Sequence, residues 1–151
     1  MCKLPTFQVG KASISPTPYQ VTTMYNDIVI ANFSDPEHSG ELQNPHFELE
    51  VGNSVCGDRI RIQIEMEGER ITRGVFRAWG CATSVATANI FCSSISGKEV
   101  ETVVNCDRSE LDTMLGSLEP SQHHCLDILH ELHDKLKTTL TNNNSDKIKQ
   151  L

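Results

Sequence analysis

The chain has 151 residues, 38% of them hydrophobic, with 13 basic against 20 acidic residues and a net charge of −7. That length suits one compact domain that buries a core without staples. The acidic balance, with no basic block or basic–aromatic run, weighs against nucleic acid and an anionic membrane surface as partners and leaves a basic protein partner open.

No apolar run is long enough to span a bilayer. Six cysteines without a secretory leader read as reduced thiols, and the expected location is cytoplasmic. The mitochondrial matrix is the less favoured location. Residues 1–26 carry no acid, but they also carry no Arg, and Pro5, Pro16 and Pro18 interrupt any amphipathic helix there.

Residues 1–21 lack periodicity and are expected to be a weakly ordered extension. A helix is predicted from Thr22, because Met24, Tyr25, Ile28, Val29 and Phe33 recur at helical spacing. Ser34-Asp35-Pro36 stops it, and Gly40 marks a turn. Phe47, Leu49 and Val51 then alternate with Glu48 and Glu50, a strand with one wet face. Ile60, Ile62, Ile64 and Met66 alternate with Arg61, Gln63 and Glu65 in a second strand. Glu67-Gly68-Glu69 turns into a third, Ile71 to Trp79, whose broken alternation at Val75-Phe76 predicts a bulge or burial on both faces. Short turns between neighbouring strands predict an antiparallel meander.

The period changes after Gly80. Val85, Ala88, Cys92 and Ile95 mark a helix from Ala82 that Gly97 ends. Asp107 with Glu110 reads as a capping box for a short helix through Leu115, stopped by Gly116. Ser121, after Pro120, is expected to cap a last helix with the stripe Cys125, Ile128, Leu129, Leu132 and Leu136, fraying from Thr138. Residues 22–140 therefore read as one α+β domain with a small three-stranded antiparallel sheet. Its helices pack mainly on one face, with a helix at the N-terminal side and a long one at the C-terminal side. Residues 141–151 read as a polar tail.

Three cysteines stand at the junctions of these elements. Cys56 lies in the turn between the first two strands, beside Gly57 and Asp58. Cys81 follows Gly80 where the third strand hands over to a helix, and Cys125 follows His123-His124 in the first turn of the last helix. None belongs to a Cys-x-x-Cys pair, so neither a zinc ribbon nor a thioredoxin-like redox pair is present. A helix N-terminus favours a thiolate through its unpaired N–H groups. Three thiolates at one end of a small sheet can converge on an ion, with Asp58 or His124 as fourth ligand. Three sulfurs with one oxygen or nitrogen suit tetrahedral zinc and equally a two-iron cluster.

Cys56-Gly57-Asp58, Gly80-Cys81 with its small-residue helix start, and His124-Cys125 together resemble the three motifs of the IscU/NifU-type iron–sulfur cluster scaffold proteins. Tyr25, Ile28, Phe33, Pro36 and Gly40 resemble that family's opening helix and the loop after it. The interval from Cys81 to Cys125, with a histidine before the last cysteine, resembles the IscU-like form more than the SufU-like one. The resemblance implies a scaffold and carrier, not a turnover enzyme. It implies that Cys56, Cys81 and Cys125 take sulfur from a cysteine desulfurase and ligate a transient [2Fe-2S] cluster made with iron, for transfer to acceptor proteins. Cys125 resembles the family's primary persulfide acceptor. Asp58 is implied as the hard oxygen ligand that keeps the site labile, and His124 as an exchanging ligand. Zinc is the metal expected in the absence of iron, and a zinc-bound sulfur relay is the alternative function.

Several positions depart from the family. The residues before Cys56 are Asn53-Ser54-Val55, where the family has Asn-Pro. Thr83 and Asn89 stand where it prefers Ala and Ser. Its chaperone-recognition segment, Leu-Pro-Pro-Val-Lys, reads Leu118-Glu119-Pro120-Ser121-Gln122 here, which weighs against a dedicated chaperone as partner. Other residues read as ordinary structure. Cys92 belongs to an apolar stripe, Cys106 is expected half-buried, and Cys2 exposed. His123, His130 and His133 are expected at the surface. Trp79 is expected to close the core, or to shield a cluster beside Cys81. Asp58 has a plainer alternative role as a turn cap.

Overall fold

The computed structural model describes residues 25–53 and 57–149. Cys56, residues 1–21 and the predicted helix start at Thr22 lie outside the described residues. Helix α1 spans Asp27–Ser34, β1 Phe47–Asn53, β2 Asp58–Glu67 and β3 Arg70–Trp79. These are followed by α2 (Ala82–Ile95), α3 (Val100–Val104), α4 (Arg108–Met114), a 3-10 turn (Pro120–Gln122) and α5 (His124–Lys149).

The strands form an antiparallel meander in the order β1-β2-β3, as their alternation predicts. Cross-strand partners share a face, so Leu49, Val51, Ile60, Ile62, Ile64 and Phe76 line one side. All six are buried in the single core with residues of α2 and α5. Gly74 lets α2 approach that face closely: a Cβ there would lie 3.2 Å from Ile95 Cδ1. The opposite face carries Glu48, Glu50, Arg59 and Arg61, with Arg59–Glu50 and Arg61–Glu48 ion pairs at 2.8 and 2.6 Å. Such exposed pairs contribute little stability, about 0–1 kcal/mol each.

Val75 and Phe76 are both buried, and the register shift lies elsewhere, between Glu65 and Met66. The alternation fails at this pair because the chain before β1 wraps β3 and the sheet's other face. Phe76 N–H donates to His38 O and Gly40 N–H to Phe76 O, covering the edge. Leu42 N–H donates to the buried Gln63 Oε1, across from Val75.

Helix α2 is buried on nearly every side, because α1 and α5 pack on it as well as the sheet. This explains its small residues better than the single stripe read from the sequence. Asn89 is a bridge in that packing: its Nδ2 donates to Asn32 Oδ1 of α1 at 2.7 Å, and its Oδ1 accepts the His38 N–H at 3.0 Å.

Four expectations about helix ends and surfaces are corrected. Helix α1 starts at Asp27, capped by Asn26, whose Oδ1 accepts the Val29 N–H. It turns Val29 and Asn32 inward and leaves Ile28 and Phe33 exposed. The Asp107 side chain makes no cap bond, and the Glu110 carboxylate accepts from the Cys106 thiol at 3.4 Å. Helix α5 begins at His124 and runs past Thr138 to Lys149, with Leu140 extending the buried stripe by a turn. His133 is buried, with Nε2 donating to Val103 O of α3 at 2.9 Å. Trp79 does not close the core: it is 49% exposed, with the Arg59 guanidinium 5.4 Å from its ring centre.

Candidate metal centre

Asp58 opens β2, Cys81 is the N-cap of α2, and His124 and Cys125 open α5. One atom from each, a carboxylate oxygen, two sulfurs and an imidazole nitrogen, forms a group lying within 4.8 Å of one another. Three elements far apart in sequence deliver these groups to one end of the sheet. Cys56, the fifth predicted site residue, lies outside the described residues.

Asp58 holds the centre together. It is 4% exposed; its Oδ1 accepts the Cys81 N–H at 3.3 Å, and its Oδ2 lies 2.8 Å from His124 Nε2. The carboxylate thus ties the start of α2 to the start of α5, a longer reach than capping its own turn. Gly80 makes room for it. Its φ is +144°, and a Cβ on it would run into Asp58 Oδ1.

His124 Nδ1 donates to Ser121 O at 3.1 Å. A neutral imidazole has one N–H, so this bond turns the Nε2 lone pair toward the cluster. A backbone carbonyl taking the other ring N–H is how metal-ligating histidines are commonly fixed. The Nε2–Oδ2 contact to a carboxylate then needs a proton beyond the one on Nδ1. A cation coordinated by both groups would take that proton's place.

The sulfurs differ. Cys81 is exposed, and its side chain makes no cap bond, so Sγ remains available to a ligand. Cys125 is 0% exposed, with Sγ 3.5 Å from His124 Nε2. Burial pushes its thiol up to about 12; the Ser84 hydrogen bond opposes the rise and the nearby Cys81 adds to it. A buried thiol with that preference ionises when a cation compensates it. Two sulfurs, an oxygen and a nitrogen fit a tetrahedral divalent ion without a missing donor.

Ser84 also belongs to the site, although no sequence motif assigns it a role; Gly80, expected to let the backbone come close beside Cys81, does so. Ser84 Oγ lies 3.4 Å from Cys81 Sγ and 3.6 Å from Cys125 Sγ. Its position three residues after Cys81, on the same side of a helix, is the signal that points to it. Cys92 is fully buried in the core, with its thiol raised by desolvation; it takes no part in the site, as its stripe predicts.

The sequence pattern of the family described as NifU-like N terminal domain matches residues 24–144. The chain belongs to that family. It is 31% identical over 133 residues to iron-sulfur cluster assembly scaffold protein IscU 1 of Archaeoglobus fulgidus, covering 85% of each chain. It is 30% identical over 94 residues to the zinc-dependent sulfurtransferase SufU of Bacillus subtilis, covering 62% of this chain and 63% of that one. Its fold is similar to the crystal structure of the N-terminal part of a nitrogen-fixing NifU-like protein from Brucella abortus. The TM-score is 0.52 at 15% identity, covering 86% of this chain and 95% of that one.

Proposed function

We propose that this protein is a scaffold for iron–sulfur cluster assembly, of the IscU-like rather than the SufU-like form, and a carrier rather than a turnover enzyme. The observation that carries the reading is the convergence of Asp58, Cys81, His124 and Cys125 at one end of the sheet. Iron and sulfide are its cargo. A cysteine desulfurase supplies sulfur: the Cys125 thiolate attacks the outer sulfur of the donor's persulfide, the donor's S–S bond breaks, and the donor leaves as a thiolate. His124 and Asp58 separate to admit the donor. An external electron donor then supplies two electrons per sulfur, which cleave the Cys125 persulfide to sulfide and regenerate the thiolate; the carboxylate, a hard ligand in a sulfur-rich site, afterwards lets the finished [2Fe-2S] unit leave for an acceptor protein. Cys56 is the remaining thiolate of this reading. The protein works in a reducing, cytoplasmic compartment and releases its cargo without a dedicated chaperone. Nucleic acid and membrane have no part in the reading, and no described helix is long and apolar enough to cross a membrane.

The second reading is a zinc-bound sulfur relay. Its support is a donor set that equally suits tetrahedral zinc, together with the similarity to a zinc-dependent sulfurtransferase.

Anaerobic reconstitution with iron, cysteine, a desulfurase and a thiol reductant decides between them. The scaffold reading expects visible charge-transfer absorbance with stoichiometric iron and sulfide, and slower cluster transfer to an acceptor from Asp58→Ala. Persulfide on the protein with no chromophore and retained zinc would favour the relay.

A further inference from the structure

The hydroxyl of Ser84 stands between the two described sulfurs of the centre, 3.4 Å from Cys81 Sγ and 3.6 Å from Cys125 Sγ. Ser84 is fully buried in the first turn of α2, so water does not substitute for it. One hydroxyl offers one O–H and two lone pairs. It therefore accepts from one thiol while donating to the other, and it can donate to only one sulfur at a time. We infer that Ser84 is a positioning residue of the metal centre: its hydroxyl spans Cys81 and Cys125, sets their spacing, and donates its O–H to a coordinating sulfur.

This inference deepens the scaffold reading and rests on it, since it presumes that Cys81 and Cys125 ligate one cation. It does not depend on which metal is carried, nor on Cys56. Its physical basis is twofold. Cys81 and Cys125 come from different helices, and among the described contacts Ser84 is the side chain that reaches both sulfurs. A hydrogen bond to a coordinating thiolate also withdraws charge from the sulfur, which changes both metal affinity and the energy of sulfur-to-metal charge transfer. The plainer role, a small residue where α2 meets α5, predicts an effect on packing and none on the sulfur's electronic state.

Cobalt(II) and zinc added to the apoprotein under reducing conditions test the inference. In the parent, cobalt should give a sulfur-to-metal charge-transfer band in the near ultraviolet and tetrahedral bands in the visible. Ser84→Ala should bind zinc about 10-fold or more weakly in competition with a chromophoric chelator, the usual scale for losing an outer-shell partner. Its cobalt charge-transfer band should move to lower energy, because an unbonded thiolate is more electron-rich. Ser84→Thr, which keeps the hydroxyl, should restore the band position even where its extra methyl lowers the melting temperature. Parent-like affinity and band position in Ser84→Ala would overturn the inference. So would a lower melting temperature of that variant with an unmoved band, which is the packing role alone. A parent that binds cobalt with no thiolate band overturns the scaffold reading as well, and that outcome is distinct from either of the others.

Discussion

Gly80 and Thr83, three positions apart around the start of α2, show opposite relations between a side chain and its space. At Gly80 there is none: any Cβ meets the Asp58 carboxylate, and the backbone stands at φ +144°. Gly80→Ala must push Asp58 away from the Cys81 N–H or abandon the backbone geometry, at about 1–3 kcal/mol for such strain. The expected outcome is a lower melting temperature together with weaker zinc binding, read on the same sample by thermal unfolding and chelator competition. A loss of stability with unchanged zinc affinity would mean that Asp58 is not a ligand. Thr83 has the reverse problem. It is fully buried, and its Oγ1 has no hydrogen-bond partner among the described residues. A buried hydroxyl without a partner costs about 1–3 kcal/mol, so Thr83→Val, which keeps the shape, should leave stability unchanged or raise it by up to about that amount in urea denaturation. This position departs from the family's preference for a smaller residue, and nothing in the structure explains the hydroxyl.

The strands were legible in the sequence because each has one wet face, and the charged residues between Leu49, Val51, Ile60, Ile62 and Ile64 mark it. Helix α1 was less legible. Its start depends on Asn26, whose Nδ2 donates to Leu115 O and Ser117 O about ninety positions away, and no local pattern encodes that. His133 reads as a surface residue until α3 brings the Val103 carbonyl to it. The site divides similarly. Its ligands and Gly80 sit in recognisable motifs, whereas Ser84 acquires its role only through what the fold places beside it. Asn89 is the clearest element-scale case, a departure from the family that the packing explains. Because its amide serves both Asn32 and the His38 N–H, Asn89→Ala strands two polar groups between α1 and α2. It should cost about 2–4 kcal/mol, taking roughly 1–2 for each abandoned partner, and hydrogen exchange should rise first in α1. The buried thiol of Cys92 adds a pH dependence at the same scale. Burial raises it above the ordinary thiol range, so the folded protein keeps a proton that the unfolded chain loses above about pH 8.5. Its contribution to stability is full below that pH and is lost as pH rises. The parent apoprotein should lose stability between pH 8 and 10 in urea denaturation, and Cys92→Ala, though less stable at pH 7, should lose less over that window.

Across the whole molecule, the segment Leu118-Glu119-Pro120-Ser121-Gln122 joins the candidate metal centre to the stretch that the resemblance implies a chaperone would recognise. Leu118 packs against the core, Gln122 is buried, and the Ser121 carbonyl holds the His124 ring. Residues 120–122 close one 3-10 turn, with Gln122 N–H donating to Glu119 O at 2.8 Å. A chaperone that grips this stretch in extended form must unwind the turn and take Ser121 from His124, so recognition here is coupled to loosening the site. Against that cost, the apolar and cationic anchors that the resemblance implies are missing: Glu119, Ser121 and Gln122 stand where the resembled segment has a proline, a valine and a lysine. Losing one or two anchors at about 1–3 kcal/mol each weakens binding by one to several powers of ten, and the carboxylate adds repulsion wherever the partner expects positive charge. A peptide of residues 115–125 should therefore bind the dedicated chaperone much more weakly than a family-consensus peptide in a fluorescence titration. The full-length protein should bind more weakly still, because it alone must unwind. Equal affinity of the two peptides would show that Glu119, Ser121 and Gln122 are tolerated, and release through that chaperone would then stand.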